Sequence, residues 1–156
     1  MTVSRLVKLA ENEVGTKECP PNSNNVKYNT WFYGHEVKGS AYPWCCAFVA
    51  WCFRNTGIFP KTASCANALD WFEQRGQRVS KPQVGDIVFF KFSTNARRTN
   101  HIGIVVEVGN NYITTIEGNT SRTNQDNGGA VMERRRDYKN IVAFARPAYE
   151  RISSYE

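Results

Sequence analysis

Histidine is scarce in this chain, and the scarcity bounds its chemistry. Only His35 and His101 occur, so any reaction that needs an imidazole has two candidates. The five cysteines, Cys19, Cys45, Cys46, Cys52 and Cys65, are odd in number and irregularly spaced, and no Cys-x-x-Cys pair exists. That pattern argues against a disulfide framework and, with so few histidines, against a structural zinc site. The thiols are expected to be mostly reduced, some as small buried hydrophobes. No apolar run approaches the roughly 20 residues of a membrane span. Met1 to Glu13 alternates charged and apolar residues and lacks the continuous apolar stretch of a secretory signal. Synthesis in a cytoplasm without a signal peptide is therefore expected.

What is present fits one domain. At 156 residues the chain is long enough for a real core, and no linker or repeat divides it. The net charge of +6 suits a polyanionic partner, nucleic acid or an anionic cell surface. The basic residues lack the aromatic interleaving used on single-stranded nucleic acid, so a nucleic-acid partner is not expected. The densest basic run, Arg134-Arg135-Arg136, reads as a solvated strand or turn.

Periodicity places the elements. Thr2 to Val14 predicts an amphipathic helix with Val3, Leu6, Val7, Ala10 and Val14 on one face and Gly15 as its stop. Thr16 to Tyr28 reads as a polar surface loop. Trp44 to Asn55 predicts a helix with Phe48, Trp51 and Cys52 inward, and Ser64 to Arg75 another, with Ser64 as N-cap. After Pro82 the pattern becomes strand: Asp86 to Phe92, His101 to Val108, Tyr112 to Glu117, then segments near Ala130 to Arg134 and Ile141 to Ala145. Helices followed by consecutive antiparallel strands predict an α+β fold, helices packed on one side of a curled sheet.

The segment Tyr42-Pro43-Trp44-Cys45-Cys46-Ala47-Phe48-Val49-Ala50-Trp51 puts a thiol where a loop turns into a helix. Unpaired N–H groups and the positive end of the helix dipole favour a thiolate there, the nucleophilic form. Such a nucleophile needs a base, a group that orients the base, and donors for an oxyanion. His101, opening a strand after the polar loop Ser93 to Asn100, is the expected base, with His35 as fallback. Pairing across the turn Gly109-Asn110-Asn111 sets residues whose numbers sum to about 219 or 220 opposite each other. Glu117 and Asn119 then fall beside Ile102 and His101, where either can hold the ring by one nitrogen. The N–H groups of the helix start, that of Cys45 included, are the expected oxyanion donors. Helical phase does not choose between Cys45 and Cys46. Trp44, Trp31 and Tyr33 are the aromatic candidates for lining a substrate groove, with the core as the alternative for the dense Trp31-Phe32-Tyr33 run.

Four segments in order resemble one family. Trp44-Cys45-x-x-Phe48-Val49-x-Trp51 resembles the nucleophile motif of CHAP domains (cysteine, histidine-dependent amidohydrolases/peptidases). Gly85-Asp86-Ile87-Val88-Phe89-Phe90 is similar to their central strand, His101-Ile102-Gly103-Ile104-Val105 to their histidine strand, and Glu117-Gly118-Asn119 to its acid-and-amide partner. The resemblance runs from about Val3 to Pro147. It implies a papain-like fold over residues 1–148, with 149–156 as a tail or the start of a linker. It selects Cys45 over Cys46 as nucleophile, and implies His101 as base with Glu117 and Asn119 orienting and polarising it. It also implies hydrolysis of an amide bond in Gram-positive peptidoglycan, as muramoyl–L-alanine amidase or as stem or cross-bridge endopeptidase, in the manner of the N-terminal catalytic domains of bacteriophage endolysins. A C-terminal wall-binding domain is then the expected companion, and the wall after release the expected place of action. Some members bind calcium in an Asp-x-Asp-Gly loop before the cysteine. This chain has no such string and the loop from Glu18 to Asn29 is low in charge, so neither metal nor other cofactor is expected. Two other readings remain at this level: a wall-binding module without chemistry, and an intracellular papain-like peptidase.

Overall fold

A computed structural model describes residues 1–150. Among them are α1 (Val3–Glu13), α2 (Lys27–Tyr33), α3 (Cys45–Cys52) and α4 (Cys65–Gln74), followed by β1 (Arg78–Val79), β2 (Ile87–Phe90), β3 (His101–Val108), β4 (Ile113–Thr120), β5 (Ala130–Arg136) and β6 (Ile141–Ala145). The strands form one antiparallel sheet in the order β1-β6-β2-β3-β4-β5. This is the expected α+β fold.

Capping sets the helix starts. Thr2 accepts the N–H of Arg5 to open α1, and Ser64 accepts that of Asn67 to open α4. Leu6 and Ala10 point α1 into the core, whereas Val14 lies beyond its last turn and is exposed. The chain then turns at Gly15 and runs beside β5, with Gly15 N–H donating to Val131 O and Val131 N–H to Thr16 O.

Two expectations change before α3. Thr16 to Tyr28 is not a surface loop throughout: Glu18, Asn24, Val26 and Tyr28 are buried. Its polar groups can be buried because they are paired. Glu18 Oε2 accepts the Asn24 N–H and Trp44 Nε1–H, each at 3.0 Å, and Tyr28 Oη donates to Glu13 Oε1. The second change is α2, which the sequence does not announce. Seven residues rich in aromatics, Thr and Asn have weak helix propensity. Tertiary contact compensates, because Tyr28 is packed among Trp44, Phe48 and Trp51.

α3 is shorter than expected and has no polar face. Every residue from Cys45 to Cys52 is buried except Trp51, which is partly so. It lies against β3 and β4, with Gly118 of β4 close enough that a Cβ there would sit 2.7 Å from Phe48 Cβ. The helix thus occupies the centre of the domain, and its first residue faces the sheet. On β2, Ile87 and Phe89 join the core beneath the helices, while Val88 and Phe90 join a second cluster with Val105, Ile113 and Phe144 on the opposite face.

The start of β2 is anchored. Gly85 takes φ +94°, with Val3 Cγ1 2.8 Å from where a Cβ would stand. Buried Asp86 accepts Arg146 Nε and Nη2, each at 2.9 Å, and the Gln83 N–H at 2.7 Å. Tyr149 Oη donates to Gly85 O, and Glu150 pairs with the Met1 amino group. Tyr149 and Glu150 are therefore tied to the body of the domain; the remainder of the expected tail lies outside the described residues. Asp86→Asn, which keeps the shape but removes the charge facing Arg146, should lower stability by about 2 kcal/mol in urea unfolding. The exposed Asp137→Asn should change it by less than about 0.5 kcal/mol.

Candidate active site

α3 begins without a side-chain cap, because its N-cap is Trp44. Its first N–H groups therefore have no side-chain acceptor and remain available to an incoming oxygen. The first helical residue is Cys45, only 4% exposed. Its Sγ lies 3.6 Å from Cys65 Sγ and 3.8 Å from Asn100 O. Cys46 Sγ lies 3.3 Å from Thr62 O and also contacts the Cys65 thiol.

His101 opens β3 opposite Phe90 of β2 and is fully buried. Its ring lies against the stacked pair Phe90 and Phe92, each centroid 5.8 Å away. The two preceding residues fix the strand start: Thr99 Oγ1 donates to Phe90 O, and Asn100 Oδ1 accepts the Phe92 N–H. His101 Nε2 meets Glu117 Oε1 at 2.7 Å, and Nδ1 has no hydrogen-bond partner among the described residues. The ring is close enough to Cys45 for each group to shift the other's protonation. The carboxylate thus fixes the ring through one nitrogen and leaves the other for the thiol.

Hairpin register brings the acid there. Ile104 pairs with Ile116 and Val105 with Thr115, which is the expected register. Gly103 makes room for the acid, since a Cβ at that position would stand 2.8 Å from Glu117 Cγ. Glu117 is fully buried and takes a charge partner that the sequence reading assigned to solvent: Arg136. The guanidinium grips it with two hydrogen bonds, Nε to Oε2 at 2.9 Å and Nη2 to Oε1 at 2.5 Å, while Thr115 Oγ1 donates to Oε2. Arg134-Arg135-Arg136 is therefore not a uniformly solvated run. Alternation on β5 turns Arg136 inward, 6% exposed, and leaves Arg135 outside. Period-two patterning could have marked Arg136 as inward; only the sheet order shows that it faces Glu117.

The other expected site residues fare differently. Asn119 is buried but makes no hydrogen bond to His101. It sits at φ +56° beside an irregularity in the β4–β5 pairing, accepts the Gly129 N–H through Oδ1 and donates through Nδ2 to Asn127 Oδ1. Its contacts hold the 121–129 loop. Trp44 is fully buried, stacked on Tyr28 with its indole N–H on Glu18, so it cannot line a groove. Trp31 and Tyr33 are partly exposed on α2; Lys61 Nζ lies 4.8 Å from the Trp31 ring, and Tyr33 packs on Tyr42. His35 lies in an exposed turn. No group of three or more His, Cys, Asp or Glu among the described residues is arranged to hold a metal ion, and the Glu18 carboxylate in the loop before the cysteine accepts two protein donors.

The electrostatics follow from burial and pairing. Burial alone would raise the Glu117 carboxyl, but Arg136 and then His101 outweigh it and hold it at about 2, against an ordinary 4.5. Burial alone would lower His101, but Cys45 and Glu117 outweigh it and raise the imidazole from 6.5 to about 9. Cys45 departs from the expectation of a helix-start thiolate. Contact with Cys65 and burial push it well above its usual value, and only His101 pulls it down.

A helix start and two adjacent antiparallel strands thus bring a thiol, an imidazole and a carboxylate together on an α+β scaffold. The chain belongs to the CHAP domain family, whose model matches residues 37–119, the stretch holding Cys45, His101, Glu117 and Asn119. Among solved structures it is similar to the endolysin LysIME-EF1, with a TM-score of 0.62 at 13% identity over 96% of this chain and 66% of that one. It is also similar to Ly7917, at 0.57 and 15% identity over 94% of this chain and 63% of that one. Ly7917 with the hydrolyzing product of MDP matches at 0.53 and 17% identity, again over 94% and 63%. The chain thus spans just under two thirds of the length of these structures. No curated protein matches it in sequence.

Arg136→Met should cost about 3–5 kcal/mol in urea unfolding, because it leaves Glu117 buried without its cation; the exposed Arg135→Met should cost far less. Glu117 contributes stability above its unfolded value of 4.5 and loses it as pH falls towards about 2. His101 contributes fully below 6.5 and loses its contribution as pH rises through about 9. Stability of the wild-type protein against pH should therefore be greatest between 4.5 and 6.5 and decline on both sides. Removing the neighbouring thiol by Cys65→Ala should move the pH profile of Cys45 alkylation by iodoacetamide to lower pH, read by peptide mass spectrometry.

Proposed function

We propose that this chain is a peptidoglycan hydrolase of the phage-endolysin kind, cleaving an amide bond of the Gram-positive wall with Cys45 as nucleophile. The observation that carries the reading is the orientation of His101: Nε2 is fixed by a charge-paired Glu117 while Nδ1 stays unpartnered beside the thiol that opens α3. A module that only binds walls has no use for a buried histidine held by a buried ion pair. CHAP family membership, and a fold similar to that of an endolysin, support the wall as substrate over an intracellular protein.

In this mechanism an incoming amide carbonyl meets Cys45 Sγ while its oxygen takes the free N–H groups at the start of α3. Sulfur attacks as the thiolate formed when its proton sits on His101 Nδ1, and Glu117 stabilises the imidazolium. That proton passes to the leaving amine, which departs as the acyl–sulfur bond remains. Water then enters, gives a proton to Nδ1, and displaces the sulfur. Glu117 acts by orienting His101 and fixing its tautomer, Arg136 by keeping Glu117 ionised, and Asn119 by holding the 121–129 loop. The bond is either the muramoyl–L-alanine amide or a peptide bond of the stem or cross-bridge. Trp31 and Tyr33, partly exposed on α2, are the aromatic surface offered to the glycan–peptide mesh. A C-terminal wall-binding domain is the proposed companion, delivery to the wall following synthesis in the host cytoplasm.

Cys45→Ala should abolish turbidity loss of purified Gram-positive walls while circular dichroism stays unchanged. Clearance at the wild-type rate by that variant would sink the mechanism. Mass spectrometry of the digest identifies the bond: a new L-alanine amine means amidase, and a new terminus within the peptide means endopeptidase.

A further inference from the structure

Cys65 takes no part in that chemistry, yet it stands beside the nucleophile. It is the first residue of α4, buried at 7% exposure, and its sulfur is 3.6 Å from Cys45 Sγ. A disulfide needs the two sulfurs at about 2.05 Å, so an approach of roughly 1.5 Å would join them. Both residues are reduced in this structure. The remaining cysteines are less suited to pairing with Cys45. Cys19 is exposed on another part of the chain, Cys52 is at the far end of α3, and Cys46 directs its sulfur to Thr62 O.

We propose that Cys45 and Cys65 form a reversible dithiol–disulfide site, in which a hydroperoxide converts the nucleophile into a disulfide and a dithiol restores it. This rests on Cys45 being the nucleophile of the proposed function, and it adds a chemical role for Cys65. Cys45 sulfur attacks the terminal oxygen of hydrogen peroxide; the O–O bond breaks, and the departing hydroxide takes up the thiol proton as water. Cys45 is left as the sulfenic acid. Cys65 sulfur then attacks Cys45 sulfur, the S–O bond breaks, and the hydroxyl leaves as water with the proton of Cys65. Two thiols and one peroxide give one disulfide and two waters, with both cysteines oxidised and the peroxide reduced. The resolving thiol is already in contact, so ring closure competes with further oxidation to the irreversible sulfinic acid. His101 stays paired with Glu117 throughout, so reduction returns an intact site.

The test is hydrogen peroxide on the purified chain without added thiol, read by intact mass, by non-reducing peptide mapping and by wall clearance before and after dithiothreitol. Wild type should lose two hydrogens, yield a peptide linked through Cys45 and Cys65, lose clearance, and regain it fully on reduction. Cys65→Ala and Cys65→Ser should instead gain oxygens at Cys45 and recover little clearance. The proposal is overturned if the linked peptide is absent from oxidised wild type, if Cys65 links to Cys46 instead, or if both variants regain activity as completely as wild type. Mass and mapping do not depend on wall hydrolysis. A Cys45–Cys65 link in a protein that clears no walls would count against the proposed function and leave the dithiol site standing.

Discussion

The buried chain of charge from Arg136 through Glu117 to His101 is the constraint on which the rest of the site depends. A carboxylate and an imidazole with no solvent exposure would each tend to go neutral. The guanidinium prevents that for Glu117, and the ionised Glu117 in turn keeps the imidazole basic. The geometry follows from the same chain: two oxygens are gripped by Arg136, one of them also meets His101 Nε2, and the ring has one orientation left. Removing any member leaves a buried charge or a rotatable ring.

Sheet topology makes that chain possible. β3, β4 and β5 are neighbours, so His101, Glu117 and Arg136 come from three successive strands and line up across the sheet. Small residues make the space. Gly103 leaves room for the Glu117 side chain on the adjacent strand, and Gly118 lets β4 come up against Phe48 of α3. Asn119 then turns the strand out of regular pairing, and the loop beyond it supplies Gln125, which accepts from Arg136. On the other side of the sulfur, the start of α4 brings Cys65 to Cys45. Cys45 therefore sits between two opposing influences, a charged strand side that favours the thiolate and a thiol-rich helix side that favours the protonated form.

Much of this was legible beforehand because it is written in short-range patterns. Apolar runs bounded by turn residues placed β3 and β6 nearly to the residue, and the tight turn at Gly109 with the bulge near Val105 carries Glu117 to His101. Ser64 marked the start of α4 by its capping chemistry. What failed did so for one reason: local composition misjudges groups whose burial is compensated at a distance. Glu18 and Asn24 look like surface residues until Trp44 and each other are counted as partners. Trp44 looks like a groove aromatic until Tyr28 and the rest of α2 cover it. Asn119 looks like a partner of the imidazole until the 121–129 loop claims both ends of its amide.

The sequence by itself determined the α+β order of elements, the thiol at a helix start, the single well-placed histidine and the acid on the strand paired with it. These rest on periodicity, turn chemistry and motif spacing, which act over a few residues. Tertiary structure alone decided that Arg136 is the carboxylate's partner, that Asn119 serves a loop, and that Cys65 touches Cys45. Each of those depends on which strands neighbour one another and on how two helix starts converge. Contacts between residues 19 or 20 positions apart in sequence arise from packing of the whole domain, and no local pattern encodes them.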